Sequence, residues 1–580
     1  MTPAELPLEI LESIAGRISK TDVKTCSCVC HGWQSAFQKE LWRRAAFWSH
    51  KWLVSFAETI TNPEHNAFDF GQYTRDLTFH KQAKLTVPLL VLLQNECKGV
   101  SKLEFEKGSA DRGCFTSPLN WEAWKDLEDL TMFLDGITRT DFLRSLSYLP
   151  KLKSLALPSD MWDSHEPFTF EYVNAIHQRV PHLESFTMVG NFDALTNADI
   201  IALPKVSKTQ VVSLTTRFYT TQLMWIVYWA YKHPQIQTLR WHMDVYSGAA
   251  SGPDPDIVSA LEDIPVAFKC LENLHITGVD SKTWPFQAFF NLLARSKTAL
   301  RTLFYTVYIH PSNPLSVIDV LQAASRSTAA SLTGLQLKIS GILDDTHLIP
   351  MSLHGFHKLT RVEILGENTC LAIDMLLDNC PNLDDLSMTA SSLVLNTTET
   401  PISGHILKKL RIEKAVMEAK ILNYISARCL NLKNMYLLEV NVYGKCPDSE
   451  PARRLFDMHY TNFEELSINK TTFFNLPNST CTPDKRVNLL CVRKGGREDD
   501  KAWHHIYSLS SIIYSRTSCQ QLSEEATAKI KSFYESPDSV EIPDSTRFEN
   551  GCVKKECWSS DLIRGYVLIE CGSVQQLVIE

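Results

Sequence analysis

The chain has 580 residues, 44% of them hydrophobic, and a formal net charge of −8. This length and composition suffice for several domain cores or one long repeat array, and they argue against global disorder. The acidic balance argues against a nucleic-acid-binding protein, which usually carries a basic excess. The first residues are acidic and lack a basic signal start, and the longest apolar runs fall short of the roughly 18 residues of a membrane span. We therefore expect a cytoplasmic or nuclear protein, or one present in both compartments.

Three short helical patterns occupy residues 6–42. Each has apolar residues three or four positions apart, which predicts a helix with one apolar face. The apolar positions are Ile10, Leu11, Ile14 and Ile18, then Val23, Cys26, Val29 and Cys30, then Trp33, Phe37, Leu41 and Trp42. Pro7 suits the first turn of the first helix, and Thr21 and Asp22 are expected to cap the second. Three such helices hold little core of their own, so we expect another surface to cover one face.

The leading Leu6-Pro7, the Val29-Cys30 pair and Trp33 stand at spacings that resemble the F-box, which binds the adaptor Skp1 of cullin-RING ubiquitin ligases. Ala15 and Val23 depart from that family's pattern. The resemblance predicts an F-box at 3–46 followed by a connector at 47–74; the alternative is a small helical cap on the next domain. The Skp1-binding residues that the resemblance implies are Leu6, Pro7, Ile10, Leu11, Ile14, Val29, Cys30, Trp33 and Trp42.

The sixteen cysteines are scattered through apolar stretches, where a reducing compartment would keep them as small buried hydrophobes. The one tight cluster contains Cys26, Cys28, Cys30 and His31. These residue types can hold zinc, but they fall in one predicted helix, where Cys28 points away from Cys26 and Cys30. We therefore favour packing over metal binding, and we predict no metal site and no cofactor.

From about Arg75 onward, the unit Leu-x-x-Leu-x-Leu recurs with apolar replacements. Units begin at Leu152, Leu183, Val211, Ile236, Leu271, Leu300, Leu332, Leu359, Leu383, Leu407, Leu432 and Phe463. Their starts lie 24 to 35 residues apart, a slightly stretched leucine-rich-repeat period. One strand-plus-helix unit cannot bury its core alone, so stacking is required. We predict an α/β fold at 75–475, a curved solenoid with a parallel sheet inside and helices outside.

The residues between the repeated leucines are expected on the inner face of the sheet, where their charged, polar and aromatic mixture suits protein binding. The candidate target-binding residues are Arg240, His242, His275, Phe304, Arg361, Lys409, Arg411 and Tyr436. Arg361, Lys409 and Arg411 could form a basic patch for an acidic or phosphorylated target. Nearby carboxylates, Asp385 and Glu413 among them, would neutralise it, so we favour a mixed solvated face.

Past Asn475 the repeat pattern fades, and we predict irregular last repeats and a C-terminal cap at 476–580. Strands are predicted at 487–492 and 575–579, and helices at 502–513 and 524–534. The His504-His505 pair is expected at the surface.

No catalytic residue is predicted, because the sequence lacks a phosphate-binding glycine loop, a His-Glu-x-x-His motif and a Gly-x-Ser-x-Gly elbow. The resemblance implies the substrate-recognition subunit of an SCF-type E3 ubiquitin ligase. Such a subunit binds Skp1, and through it a cullin, while the repeats bind an unidentified target; neither nucleic acid nor membrane is an expected partner. Two alternatives stay open: an interaction scaffold that acts without ubiquitination, and an enzyme with a site in long loops such as 246–256.

Overall fold

The structure is a computed structural model, and it forms two compact units. Unit 1 comprises Met1–Ala249 and Asp254–Leu271, and unit 2 comprises Ala250–Pro253 and Glu272–Glu580. The described residues are 6–62, 70–111, 113–116, 121–134, 137–159, 166–219, 223–243, 255–278, 284–308, 316–342, 345, 347–397, 404–444, 453–474, 486–495, 501–509, 516–536, 548–549, 552–553 and 558–579. None of the helices in this part of the chain has the length and apolar character that a membrane span requires.

Unit 1 begins with a three-helix module. Its helices are α1 (Leu8–Ala15), α2 (Lys20–Cys26) and α3 (His31–Arg43). The three helices share a small core of side chains that are at most 2% exposed: Leu11, Ala15, Val23, Ala36 and Phe37. The predicted trio of short helices is therefore confirmed.

The second helix differs from its prediction at both ends. Ser19 caps α2, because its Oγ accepts the Asp22 N–H at 3.2 Å, whereas Thr21 and Asp22 were expected as caps. The helix ends at Cys26, so the prediction that Val29 and Cys30 belong to its apolar face is wrong. Ser27 Oγ donates to the Lys24 carbonyl at 2.7 Å, a local bond that competes with continuation of the helix.

The rest of unit 1 alternates strands with helices. The strands are β1 (Arg44–Phe47), β2 (Asp76–Phe79), β3 (Lys102–Phe105), β4 (Asp129–Thr131), β5 (Ser154–Leu157), β6 (Ser185–Gly190), β7 (Ser213–Phe218) and β8 (Thr238–Met243). The helices are α4 (His50–Thr61), α5 (Phe70–Tyr73), α6 (Val87–Glu96), α7 (Gly113–Thr116), α8 (Arg139–Leu146), α9 (Phe170–Arg179), α10 (Asn197–Ala202), α11 (Trp225–Lys232) and α12 (Pro255–Asp263), with 3-10 turns at Trp121–Trp124 and Leu203–Lys205. Each strand pairs in parallel with the next.

The first strand of this array precedes the predicted start of the repeats at 75. Arg44–Phe47 pairs in register with Asp76–Phe79, so the array begins immediately after α3. Along these strands, burial alternates between exposed or half-buried and buried residues, as in β2 and β3. Alternation of this kind places one side chain of each pair in the core and the next on the open face.

Unit 2 continues the same construction with longer strands. The strands are β9 (Asn273–Thr277), β10 (Thr302–Tyr308), β11 (Gly334–Ser340), β12 (Arg361–Ala372), β13 (Asp385–Val394), β14 (Lys409–Glu413), β15 (Val416–Glu418), β16 (Asn434–Leu438), β17 (Asn441–Tyr443), β18 (Arg453–Asn469) and β19 (Thr472–Phe474). The helices are α13 (Phe286–Arg295), α14 (Ser316–Thr328), α15 (Leu348–Ser352), α16 (Ile373–Asn379) and α17 (Ala419–Arg428). The strands pair in parallel in the order β9, β10, β11, β12, β13, β14, β16 and β18. The predicted α/β class, a helical module followed by parallel repeat strands with helices, is confirmed.

The last part of unit 2 mixes parallel and antiparallel strands. Its elements are β20 (Arg486–Val487), β21 (Leu489–Lys494), β22 (Lys501–Leu509), β23 (Arg516–Gln521), α18 (Glu524–Glu535), β24 (Phe548–Glu549), β25 (Cys552–Val553), a 3-10 helix (Trp558–Arg564) and β26 (Tyr566–Ile579). β26 pairs in parallel with both β18 and β21, and β22 runs antiparallel to β21 and β23. The strand predicted at 575–579 and the helix at 524–534 are confirmed, whereas the strand predicted at 487–492 is divided at Asn488 between β20 and β21.

Two predictions for this last part are wrong. The stretch 502–513 was expected to be a helix, but Lys501–Leu509 forms a strand. His505 was expected at the surface, but its side chain is fully buried beside Asp561. Both differences have one cause, because β22 has a paired strand on either side and buries every second residue.

Candidate protein-interaction surfaces

The helical module exposes apolar side chains that its own core does not use. Leu8, Ile10, Ile14 and Val29 are between 37% and 61% exposed. Isolated exposed hydrophobes are common, but four within one short module are an amount of exposed apolar area that suits a protein partner. The module folds around one set of apolar residues and presents another.

The predicted Skp1-binding residues fall into three classes of burial. Pro7, Ile10, Ile14 and Val29 are exposed, Leu6, Cys30, Trp33 and Trp42 are half-buried, and Leu11 is buried. Leu11 belongs to the module core. Trp33 packs partly inward, with its ring stacked on Phe37 at a centroid distance of 5.2 Å. The exposed residues are therefore the ones available to a partner without rearrangement.

Trp42 joins the module to the first repeat. Its ring stacks on Phe70 at 4.4 Å and lies 5.6 Å from the ring of Phe56. Its Nε1–H donates to Gln38 Oε1 at 3.0 Å, and its carbonyl accepts the Thr74 hydroxyl at 3.2 Å. Since α3 also runs directly into β1, the module is held against the first repeat by both the backbone and side-chain packing.

We expect Trp42→Ala to lower the free energy of unfolding by about 2–4 kcal/mol, because a half-buried indole and its two ring contacts are lost. Trp52→Ala is the matched control, since Trp52 is 60% exposed and its loss should cost under about 0.5 kcal/mol. Urea denaturation of the full chain measures both changes. Equal midpoints for the two variants would show that Trp42 does not hold this joint.

The open strand face of unit 2 brings most of the candidate target-binding residues into two rows. In one row, successive strands place His275, Phe304, Gln336, Glu363, Ser387, Arg411, Tyr436 and Ser467 in register. In the neighbouring row, Arg361, Asp385, Lys409 and Asn434 are in register. Strands lie about 4.8 Å apart, so the first row spans about 34 Å. A face of this length suits a protein segment or domain rather than a small molecule.

Aromatic side chains lie at both ends of this first row. The rings of His275 and Phe304 stack at a centroid distance of 5.4 Å. At the other end, the Tyr436 hydroxyl donates to Glu465 Oε2 at 2.7 Å, and this hydrogen bond, with burial second, raises the pKa of Tyr436. Lys409 Nζ lies 5.8 Å from the Tyr436 ring centroid.

The two arginines of the predicted basic patch have acidic neighbours. Arg361 Nε lies 3.7 Å from Asp385 Oδ2, and Arg411 forms an ion pair with Glu413. Charges neutralised in this way do not make a phosphate-binding patch, so the structure favours the mixed face over the basic patch. The two remaining candidates, Arg240 and His242, lie on β8 and belong to the strand face of unit 1.

The residues considered for zinc binding or for an enzyme site are only partly described by the structure. Cys26 packs against the module core and Cys28 is exposed. Within the described ranges, no three His, Cys, Asp or Glu side chains group closely enough to hold a metal ion. Most of the loop at 246–256, considered for an enzyme site, lies outside the described residues.

The pair Trp48 and Trp52, just after β1, is an exposed feature that was not predicted from the sequence. Trp48 is 58% exposed and stacks on His80. The available signal was the presence of two tryptophans, four positions apart, inside the predicted connector. Tryptophan is seldom left exposed without a partner, so such a pair indicates a contact surface.

The profile of the F-box-like family matches residues 3–48. No curated protein sequence matches the chain. Among solved structures, an internalin of Listeria monocytogenes is similar at 11% identity and a TM-score of 0.33, over 71% of this chain and 94% of that one. The complex of Rad7 and Elc1 in yeast is similar at 12% identity and a TM-score of 0.28, over 76% and 87%. The chain thus carries an F-box-like domain at residues 3–48, followed by α/β repeats that resemble leucine-rich repeats.

Proposed function

We propose that this protein is the non-catalytic substrate-recognition subunit of an SCF-type E3 ubiquitin ligase, acting in the cytoplasm, the nucleus or both. The F-box-like module binds Skp1, and through it a cullin, while the repeats bind a target protein. The observation that carries the proposal is the exposed apolar surface of a module that already has its own core. Its exposed side chains are Leu8, Ile10, Ile14 and Val29.

The chemistry of such a ligase takes place on other subunits, so the contribution of this chain is position. Holding a target near a ubiquitin-charged enzyme raises the effective concentration of its lysines, without any reaction in this chain. A rigid link makes that placement reproducible. The Trp42 packing and the direct passage from α3 to β1 support this role.

We expect Val29→Asp to lower the affinity of the full chain for Skp1 by at least about 30-fold, because a carboxylate would be buried at an apolar contact. Co-purification of the chain with Skp1 measures this loss. Val266→Asp is the matched control, since Val266 is 57% exposed and Val29 is 61% exposed. Both variants should unfold at the wild-type urea concentration, because neither side chain belongs to a core. If wild type and both variants bind Skp1 equally, or none binds, the proposed adaptor surface is wrong.

Point substitutions are preferable to removal of the module, because deleting residues 1–45 would cut into β1. They also separate a ligase subunit from a scaffold. In cells that express the variants, proteins captured by the repeats should turn over more slowly with Val29→Asp than with Val266→Asp. Unchanged turnover of captured proteins, despite lost Skp1 binding, would favour an interaction scaffold that acts without ubiquitination.

A further inference from the structure

The first repeat presents an aromatic platform next to the helical module. Trp48, directly after β1, is 58% exposed, and Trp52, in the first turn of α4, is 60% exposed. The Trp48 ring lies flat on the imidazole of His80, with centroids 3.5 Å apart and an interplanar angle of 13°. Exposed tryptophan is the residue type most enriched among the energetically dominant positions of protein interfaces.

Hydrogen bonds fix the position of His80, on which the Trp48 ring rests. The backbone N–H of His80 donates to the Phe47 carbonyl at 3.1 Å, which continues the pairing of β1 and β2 by one residue. His80 Nδ1 lies 2.7 Å from Glu106 Oε1, and the Lys81 N–H donates to Glu106 Oε2 at 2.9 Å. The imidazole beneath Trp48 is therefore fixed, so a partner would meet a surface that needs little ordering.

Three lysines stand close to platform residues in the chain. Lys51 precedes Trp52 directly, and the His50 ring Nδ1 lies 3.1 Å from the Ala83 carbonyl, so the chain segments that carry Lys51 and Lys84 lie close together. Lys81 follows His80 directly. All three lysines are exposed, and within the described residues none of them forms an ion pair. Both oxygens of Glu106, the carboxylate that contacts His80, are already engaged.

We propose that this platform binds an acidic peptide segment with an apolar or aromatic side chain. The apolar side chain would rest against Trp48 and Trp52, and the acidic residues would face Lys51, Lys81 and Lys84. A protein ligand is favoured over nucleic acid because the chain as a whole has a net charge of −8. The inference deepens the proposed function by naming the chemistry of a target segment, and it rests on that function only for its biological purpose.

The test uses the full chain without Skp1 and three short fluorescein-labelled peptides. The first combines Glu and Asp with a central Phe-Leu pair, the second replaces that pair by serines, and the third replaces the acids by lysines. Fluorescence anisotropy should show the tightest binding for the first peptide, weakened by added salt. Trp48→Ala combined with Trp52→Ala should reduce that affinity about tenfold or more, and Lys51→Glu with Lys81→Glu and Lys84→Glu should abolish it.

Matched controls separate this surface from others. Tyr148→Ala removes a different exposed aromatic residue of unit 1, and Lys205→Glu with Lys208→Glu reverses exposed lysines elsewhere; neither should change peptide affinity. Val29→Asp should also bind the peptide normally, so failure of the adaptor proposal and failure of this one give different results. Three results of the binding measurements would overturn the inference: no binding of the first peptide, equal binding by the tryptophan variant, or tighter binding of a single-stranded RNA oligonucleotide. If Trp48→Ala no longer co-purified with Skp1, the platform would be part of the Skp1-binding surface, and the inference of a peptide site would also be overturned.

Discussion

Asp561→Ala is expected to destabilise unit 2 by about 3–5 kcal/mol, because it removes the acceptor at the centre of a buried polar cluster. Asp561 is fully buried. Its Oδ2 accepts the Asn488 side-chain N–H at 3.2 Å and lies 3.0 Å from His505 Nε2. Alanine would leave both partners without this acceptor in the interior. Urea denaturation of the full chain measures the loss, and hydrogen–deuterium exchange in β21 and β22 locates it.

Two controls define what a weaker result means. Asp561→Asn keeps a side-chain oxygen at the same position, so it should cost less than the alanine variant. Asp384→Ala removes a unit 2 carboxylate whose side chain is 41% exposed and lies 3.7 Å from Lys408 Nζ, and pairs at the surface contribute at most about 1 kcal/mol. If Asp561→Ala were no more destabilising than Asp384→Ala, the cluster would have no stabilising role.

The repeat strands were predictable because hydrophobic spacing alone determines their burial. Leu335 and Leu337 stand two apart in the sequence and are both buried in β11, while Gln336 between them is half-buried. Each unit from Leu152 to Phe463 buries its fourth and sixth residues and leaves the residue between them half-buried or, at Arg240 and Arg411, exposed. Local pattern and tertiary packing agree at these positions, so sequence reasoning succeeds there.

The first repeat strand was missed because nothing in its own residues requires a strand. Arg44–Phe47 has two alanines and one buried aromatic residue, and it becomes a strand through pairing with β2. The ring centroid of Phe47 then lies 5.2 Å from that of Phe79 and 5.1 Å from that of Phe56. Tertiary contacts outside the segment decided its structure.

β22 shows the opposite error, in which a real periodicity was misleading. Trp503, Ile506 and Tyr507 stand three and four residues apart, as in a helix, but the structure buries Trp503, His505 and Tyr507 at a period of two. The partner of His505 is Asp561, 56 residues further along the chain. A single sequence contains no signal that links those two positions.

The candidate surface was predictable only in part. Sequence reasoning identified Arg411 and Tyr436 as open-face residues, but their being adjacent in one row depends on strand register. It also favoured a face whose arginines are neutralised by Asp385 and Glu413, but the individual Arg411–Glu413 and Arg361–Asp385 pairs depend on side-chain direction. Trp48 escaped notice because no repeat motif marks the position after β1.

Acidification is expected to destabilise unit 1 through two buried histidines. Burial, reinforced by nearby Lys232, lowers the pKa of His177 to about 3. Burial also lowers the pKa of His233 well below its ordinary value, with His177 and Lys232 adding to the effect. Both side chains are at most 3% exposed, and their rings lie 5.0 Å apart. In the described part of the chain, neither ring nitrogen of His177 has a hydrogen-bond partner.

The direction of the pH effect follows from proton binding in the two states. The unfolded histidines take up protons as pH falls through about 6.5, whereas the folded ones do not, so acid favours unfolding. Above about pH 6.5, the histidines are neutral in both states and the free energy of unfolding keeps its full value. Below that pH it decreases progressively, by about 2 kcal/mol per histidine at pH 5. The urea concentration at the midpoint of unfolding should therefore decrease when the pH is lowered from 7.5 to 5. Hydrogen–deuterium exchange in α9 and α11 would locate the change.

His177→Phe tests this assignment, because it keeps a ring beside Phe186 and His233 and removes one titrating group. Its urea midpoint should depend on pH about half as strongly, if the two histidines contribute equally. His182→Ala is the control, since His182 is exposed and its loss should leave the pH dependence unchanged. An identical pH dependence in His177→Phe and wild type would show that other groups control acid stability. A reduced dependence would show that this buried pair, which contributes to no proposed binding surface, sets the acid limit of the unit that carries the F-box-like module.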